Sequence, residues 1–154
     1  MCSQYELKWM IRRDMPAVLD IEKQSCEFPL DESDIVAILR KRDCIGMVLE
    51  LNDEVVGFVI YKLSSKSIEI LDIAIHPKYR RSGLGKAIVD KLKSKLCWNR
   101  RNAIDFTVLE TNLTALKFFR ELGFRAVNLV KKPYLETDRD GIYMRYRVNA
   151  RVVV

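Results

Sequence analysis

One stretch near the middle of the sequence joins a strand pattern to a helix pattern through a short loop that contains two glycines. Residues 68–75 are mostly β-branched or apolar, and Pro77 follows them, which is typical of a buried β-strand. From Leu84 to Leu96, apolar residues recur every four positions with lysines between them, which predicts an amphipathic helix. A strand that leads directly into such a helix favours a fold in which helices pack on a sheet.

The loop between this strand and this helix predicts an anion site. Gly83 and Gly85 lack β-carbons where the chain must turn and where a ligand can approach the backbone. The start of a helix exposes about four unpaired N–H groups and carries about half a positive charge, so it attracts a phosphate or pyrophosphate. Arg80, Arg81 and Lys86 add positive charge there. A basic turn with two glycines and no ligand is the alternative interpretation.

Length and composition indicate one compact domain over residues 1–154, because 49% of the residues are hydrophobic and 31% are charged. No stretch approaches the roughly 20 apolar residues that span a bilayer, and the first residues lack the layout of a secretory signal. We therefore expect a cytoplasmic protein that does not enter a membrane. Four separate cysteines and a single histidine make a metal site unexpected and favour reduced thiols.

The net charge of +6 is spread over separate pairs and triplets of basic residues, such as residues 40–42 and 100–101, and does not form one stripe. We therefore expect a solvated basic surface and no specific nucleic-acid partner. The basic residues near Arg80 are also suited to the phosphates of a ligand. A basic exterior would also favour docking on an RNA-rich assembly such as a ribosome.

The other segments complete an alternating pattern of strands and helices. Tyr5, Leu7, Trp9 and Ile11 alternate with polar residues, which predicts a strand with one buried face. Further segments predict helices at residues 14–25, 32–40 and 112–122 and strands at residues 45–51, 55–63, 103–109, 124–130 and 142–148. The order βααββ followed by βαβαββ predicts a mixed α/β sheet with helices on its faces.

Several motifs resemble those of the GNAT superfamily of N-acetyltransferases. The spacing Arg80-x-x-Gly83-x-Gly85 resembles the loop that binds the coenzyme A pyrophosphate in that superfamily, and it differs from the phosphate loop of triphosphatases and from the dinucleotide fingerprint. Within the superfamily the sequence is similar to the RimI-like group, which acetylates protein amino termini and whose namesake modifies a ribosomal protein. The segments that match that group in order and spacing are Ile21-Glu22-Lys23, Glu27-Phe28-Pro29, Ile73-Ala74-Ile75 and Arg81-Ser82-Gly83-Leu84-Gly85-Lys86.

This resemblance implies the GNAT fold, a mixed and mostly antiparallel sheet of about seven strands with helices on both faces, and acetyl-CoA as co-substrate without a metal. The backbone of Ile73, Ala74 and Ile75 would pair with the pantetheine amides. Residues implied at the pyrophosphate are Arg80, Arg81, Ser82, Gly83, Leu84, Gly85 and Lys86. Asn112 would contact the pantetheine arm and Phe119 would lie beside the thioester. A pure helix cap is the alternative role for Asn112.

The sequence departs from the RimI-like pattern where proton transfer is expected. Transfer to an α-amine, with a pKa of about 8 in solution, needs a group that accepts a proton. The positions of the proposed base and acid hold Thr107 and Phe119, and neither side chain can do this work. The position of Glu69 matches the catalytic glutamate of the histone-acetylating members of the superfamily. Because side chains alternate along a strand, those of Glu69, Ile73 and Ile75 are expected on the same face of the sheet. A solvated carboxylate without a role is the alternative.

Two tyrosines are candidates for the acid or for gripping the acceptor. Tyr134 and Tyr143 belong to the long connection and last strand that border the acceptor groove in this superfamily. Tyrosines packed at a sheet edge are the alternative interpretation. We expect Phe28 and Pro29 to form the opposite wall of that groove.

The sequence thus predicts an acetyl-CoA-dependent N-acetyltransferase in which an amine attacks the thioester directly. The expected acceptor is the amino terminus of a protein such as a ribosomal protein, and the expected assembly is a monomer or homodimer. Two alternatives stay open, a small-molecule amine acetyltransferase and a catalytically silent acyl-CoA-binding module.

Overall fold

The computed structural model describes residues 4–131, 133 and 139–148. Within them lie seven strands and four α-helices. The strands are β1 (Tyr5–Trp9), β2 (Cys44–Leu51), β3 (Glu54–Leu63), β4 (Ser67–Ile75), β5 (Ala103–Leu109), β6 (Arg125–Val130) and β7 (Gly141–Arg147). The helices are α1 (Met15–Ser25), α2 (Glu32–Leu39), α3 (Leu84–Lys93) and α4 (Leu113–Glu121). This succession confirms the predicted order of strands and helices.

The seven strands form one sheet in the order β1-β2-β3-β4-β5-β7-β6. The register is antiparallel between β1 and β2, β2 and β3, β5 and β7, and β6 and β7. It is parallel between β4 and β5. The predicted mixed and mostly antiparallel sheet is therefore confirmed. Among the described residues, no helix has the length and apolarity needed to cross a bilayer.

The chain divides into two compact units, and the first comprises Met1–Leu63 and Leu71–Lys91. Its core joins α1 and α2 to the sheet, and its fully buried members include Val18, Ile35 and Phe58. The β2–β3 hairpin turns at Asn52 and Asp53, which both have positive φ values of 52° and 65°. Such values at both central residues are typical of the two-residue turn that matches the twist of a hairpin.

The second unit comprises Ser64–Ile70 and Leu92–Val154. Its core is an aromatic cluster between α4 and the sheet, in which Phe119 is 2% exposed. The ring of Phe119 lies 4.9 Å from that of Phe106 on β5 and 5.1 Å from that of Phe124. The ammonium of Lys93 lies 4.2 Å from the ring centre of Tyr146, on the strand next to β5. Tilted and edge-to-face aromatic contacts thus fix α4 on the strands it covers.

Three sequence expectations need correction. β1 has no buried face, because Tyr5 is 50% exposed and Trp9 is 66% exposed at the edge of the sheet. The helix α3 ends at Lys93 rather than at Leu96, where tighter i to i−3 hydrogen bonds replace helical ones. The helix predicted at residues 14–25 begins one residue later, at Met15, because the Asp14 carboxylate accepts a hydrogen bond from the Ile11 N–H at 2.9 Å and does not cap α1.

Candidate functional site

The second half of β4 offers an unpaired strand edge within the first unit. The pairing of β4 with β5 covers residues 67–70 and goes no further along β4. The His76 N–H donates to the Val56 carbonyl on β3 at 2.8 Å. Because backbone groups alternate in direction along a strand, Ile73 and Ile75 turn their N–H and carbonyl groups away from β3. This edge can hydrogen-bond an extended ligand that carries amides.

Of the three residues predicted to pair with pantetheine, Ala74 directs its backbone carbonyl toward β3 and away from the open edge. Its carbonyl oxygen points at β3, 3.1 Å from the position that a β-carbon on Gly57 would occupy. The side chain of Ala74 is buried in the core of the first unit. Of the three, Ile73 and Ile75 therefore direct backbone groups to the open edge. The Ile75 carbonyl there also accepts from Arg80 Nε at 3.2 Å, and the Ile73 N–H is a hydrogen-bond partner of the Asp72 carboxyl.

The glycine loop follows this strand and leads into α3. Gly83 has a φ of +83°, and apart from its chain neighbours no atom of the described residues lies within 4 Å of the position for a β-carbon there. Arg81 also has a positive φ, of 62°. The first helical hydrogen bond runs from the Ala87 N–H to the Gly83 carbonyl at 3.0 Å, so the N–H groups of residues 84–86 precede it. These N–H groups have no partner within the helix and are suited to an anion, and the binding of a phosphate here stays a prediction.

The cations of the loop differ in their contacts. Arg80 already forms two hydrogen bonds within the protein. Its Nε donates to the Ile75 carbonyl at 3.2 Å and its Nη2 donates to the Ser25 hydroxyl at 3.0 Å. Lys86 forms an exposed ion pair with Asp90 at 2.8 Å. The Ser82 hydroxyl donates to the carbonyl of Tyr79. Arg80 thus ties the loop to β4 and α1, and its contact with a phosphate stays a prediction.

Beside β4 lies a buried acidic cluster that sequence reasoning missed. Glu22 on α1 is 1% exposed and Asp72 on β4 is 9% exposed. The Cys26 thiol donates to Glu22 Oε1 at 3.0 Å. The Cys26 sulfur and a carboxylate oxygen from each of Glu22 and Asp72 all lie within 4.8 Å of one another. Burial and the nearby Glu22 carboxylate raise the pKa of Asp72 to about 9. The only available signal was an aspartate inside the apolar run of residues 70–75.

Glu22 also positions the loop that follows α1. Its Oε2 accepts a hydrogen bond from the Leu30 N–H at 2.9 Å. The two preceding residues are the predicted groove residues, of which Phe28 is half-buried and Pro29 is exposed. The buried carboxylate therefore holds in place a loop whose contact with an acceptor stays a prediction.

In the second unit, polar side chains share the sheet face opposite the aromatic core. Glu69 on β4 is paired in register with Asp105 on β5, and Asp105 is paired with Arg145 on β7. Paired residues point to the same side of a sheet. Arg145 binds both oxygens of Asp105, whereas Glu69 is half-buried and forms no hydrogen bond or ion pair within the described part of the chain. Glu69 is thus a carboxylate on this face without a partner in the described part of the chain, and its role as proton acceptor stays a prediction.

The phenol of Tyr143 belongs to the same face. Its hydroxyl accepts a hydrogen bond from Arg145 Nη2 at 3.1 Å, and Tyr143 is paired in register with Thr107. Burial and the Asp105 carboxylate raise the pKa of Tyr143 above its usual value. The phenol therefore keeps its proton at neutral pH, and the Asp105 carboxylate is a hydrogen-bond partner of its hydroxyl.

The remaining site residues have different placements. Asn112 caps α4, because its Oδ1 accepts from the Ala115 N–H at 3.1 Å, and its contact with the cofactor stays a prediction. Phe119 lies in the buried aromatic cluster, which explains an apolar side chain at this position, and its place beside the thioester is equally untested. Tyr134 lies outside the described residues.

Three known proteins are similar to this chain in sequence or in fold. The chain is 27% identical to the ribosomal protein bS18 alanine N-acetyltransferase of Escherichia coli over 133 residues, which cover 85% of this chain and 89% of that protein. Its fold matches crystallised Ard1 of Thermoplasma volcanium with a TM-score of 0.84 and 22% identity, over 94% of this chain and 98% of that one. Naa50 of Arabidopsis thaliana, in complex with the bisubstrate analogue CoA-Ac-MVNAL, gives a TM-score of 0.78 and 16% identity, over 94% and 99% of the two chains.

Residues 5–124 match the family described as the acetyltransferase (GNAT) family. This range covers most of the chain, and it includes the open edge of β4, the glycine loop, α3 and α4. The chain therefore belongs to the GNAT family of acetyltransferases.

Proposed function

We propose that this acetyltransferase moves an acetyl group from acetyl-CoA to the α-amine at the amino terminus of a protein. The observation that carries the proposal is the first unit's open strand edge at Ile73 and Ile75, which continues into the glycine loop and the N-terminus of α3. An edge that pairs with amides, followed by a site for phosphate, suits the pantetheine and pyrophosphate of coenzyme A.

The choice of a protein acceptor is supported by the relatives. The E. coli relative modifies an alanine of a ribosomal protein, and the Arabidopsis neighbour is held with an analogue that joins coenzyme A to a peptide. The proposal therefore includes a protein amino terminus as acceptor, a ribosomal protein being one candidate. It also includes a single domain over residues 1–154, a monomer or homodimer, and action in the cytoplasm.

The proposed chemistry is a direct displacement. The amine nitrogen forms a bond to the thioester carbonyl carbon after losing a proton, which Glu69 accepts directly or through water. The carbon–sulfur bond then breaks, and the thiolate of coenzyme A takes a proton from a donor, for which Tyr143 is the candidate in the described part of the chain. The second proton of the attacking nitrogen passes to that donor and restores it. The choice of Glu69 is supported by its lack of a hydrogen-bond or ion-pair partner in the described part of the chain. Asp105 on the same face, in contrast, binds Arg145.

A single assay tests the function. Free-thiol release from acetyl-CoA is measured with peptides that differ in their first residue, including alanine, and with spermidine as a small amine. We expect turnover on one class of peptide. Turnover on spermidine alone would contradict the protein acceptor, and tight acetyl-CoA binding without turnover on any acceptor would contradict the enzyme.

A second measurement tests the proton acceptor. Glu69→Gln keeps the size of the side chain and removes its basicity, so kcat should fall by about 100-fold or more with an unchanged Kd for acetyl-CoA. The matched control is Glu121→Gln, which changes an exposed glutamate on α4 and should leave kcat unaltered. Equal activity of the two variants would remove Glu69 from the mechanism.

A further inference from the structure

The second unit contains a basic cavity that the acetyl transfer does not use. It measures about 430 Å³, and its lining includes Lys66, Trp98, Asn99, Arg100, Asn102 and Arg147. The backbone around it is fixed, since the Asn102 N–H donates to the Lys66 carbonyl at 3.0 Å and the Asn102 side chain donates to the Trp98 carbonyl at 3.3 Å. Its size is within the range of about 300–1,000 Å³ typical of small-molecule sites.

The charge of this cavity is of one sign. Lys66, Arg100 and Arg147 are exposed, and within the described residues none of them forms an ion pair with a carboxylate. Arg145 also lines the cavity but is already bound to Asp105. Cations that converge on one concave site without counter-charges attract an anion more strongly than the same cations spread over a surface.

An aromatic ring stands among these cations. The side chain of Trp98 is 49% exposed, although a large apolar ring normally gains free energy from burial. A flat exposed ring beside basic side chains is the combination with which proteins hold nucleotides, because the base stacks on the ring while the cations bind the phosphate. Asn99 Oδ1 accepts from the Cys97 thiol and Asn102 Nδ2 donates to the Trp98 carbonyl, which leaves the Asn99 amide N–H groups and Asn102 Oδ1 for a base edge. An acidic peptide would use the cations and leave the indole without a role.

We propose that this cavity binds a nucleotide, either free or as a residue of single-stranded RNA. The phosphate lies among Lys66, Arg100 and Arg147, and the base stacks on Trp98. The site departs from the expectation that the basic surface has no nucleic-acid partner. That expectation came from the spacing of charges along the sequence, whereas the fold brings Lys66, Arg100 and Arg147 to one cavity.

Binding is measured with a fluorescein-labelled RNA hexamer of adenosines and, in a second arm, with AMP. Both arms contain saturating acetyl-CoA, so that the adenine nucleotide of coenzyme A cannot account for the signal. We expect Arg100→Ala/Arg147→Ala to weaken binding of the hexamer by about tenfold or more and to lower its salt dependence. Trp98→Ala should weaken it by about tenfold, and Trp98→Phe should restore most of the affinity.

The matched control is Arg40→Ala/Arg42→Ala, which removes the same charge from a basic segment in the first unit. Equal weakening by the two double variants would overturn the proposal, because it would indicate general attraction to a basic surface. Absence of binding in both arms, or binding of a hexaglutamate peptide that does not depend on Trp98, would overturn it as well. Tighter binding of AMP than of the hexamer would assign the site to a free nucleotide. These readouts need no acetyl transfer, so they do not depend on the proposed function.

Discussion

The guanidinium of Arg145 binds both carboxylate oxygens of Asp105, with Nε to Oδ1 at 2.6 Å and Nη2 to Oδ2 at 3.1 Å. The two residues are direct partners in the register of β5 and β7. Asp105 is 4% exposed, so its charge depends on this partner. We expect Arg145→Met to lower the free energy of unfolding by about 3 kcal/mol, because it leaves a buried carboxylate unpaired.

The double variant Asp105→Asn/Arg145→Met should be more stable than Arg145→Met alone, since no unpaired charge is then buried. Urea unfolding of the two single variants and the double variant measures this coupling. Additive losses would contradict the pairing as a source of stability.

A second prediction concerns pH and the buried carboxyl of Asp72. In an unfolded chain an aspartate releases its proton near pH 4, on the order of its usual pKa. Burial and the Glu22 carboxylate raise the pKa of Asp72 in the fold to about 9. Between these values the folded state holds more protons than the unfolded state, so the free energy of unfolding should fall as the pH rises.

Asp72→Asn removes this ionisation and keeps a group that can donate to Glu22. Relative to the unmodified chain, the variant should therefore gain about 1–3 kcal/mol of stability between pH 5.5 and pH 8. Urea unfolding at both pH values measures the difference. The control Asp20→Asn alters an exposed carboxylate on α1 and should not change the pH dependence. Parallel pH profiles for Asp72→Asn and the unmodified chain would show that Asp72 is already ionised at neutral pH.

The spacing of apolar residues predicted most of the fold, because buried positions recur with the period of the strand or helix that carries them. The strand at residues 103–109 and the cap at Asn112 are found where the sequence places them. The predicted strands at residues 45–51 and 55–63 are also found, and they are joined at Asn52 and Asp53, which both tolerate the positive φ that the turn requires. These features are local, so neighbouring residues in the sequence determine them.

Contacts between residues that are far apart along the chain could not be predicted from the sequence. Asp105 and Arg145 are forty positions apart, and only the strand register makes them partners. The orientation of Ala74 toward β3 likewise depends on the pairing of its strand. The apolar residues of β1 looked like a buried face, but Trp9 lies on an edge strand where nothing in the described part of the chain covers it. An alternating pattern cannot distinguish an edge from the centre of a sheet.

A third prediction concerns the free thiols of Cys26, Cys44 and Cys97. Burial raises the pKa of Cys26 and of Cys44, and the Asp72 and Glu22 carboxylates raise that of Cys26 further, whereas the Cys97 side chain is exposed. The thiolate is the reactive form, and its fraction falls about tenfold for each unit by which the pKa is raised.

With a disulfide reagent at pH 8, Cys97 should therefore react at least about tenfold faster than the other two thiols. A Cys2→Ser background removes the cysteine that lies outside the described residues. In that background, Cys97→Ser should abolish the fast phase. A fast phase that survives this change would show that Cys26 or Cys44 is accessible as thiolate.

The last prediction uses the packing of Gly57 against the strand edge proposed for pantetheine. A β-carbon on Gly57 would lie 2.5 Å from Ile75 Cδ1 and 3.1 Å from the Ala74 carbonyl oxygen. Gly57→Ala should therefore displace this part of β4, lower stability by about 1–3 kcal/mol, and weaken acetyl-CoA binding several-fold in calorimetric titration. The control Gly46→Ala crowds Leu39 at 2.9 Å in the same unit, far along the chain from β4. This control should lower the free energy of unfolding by a similar amount and leave acetyl-CoA binding unchanged. Equal losses of affinity in the two variants would mean that binding depends on overall stability and not on the position of Ile75.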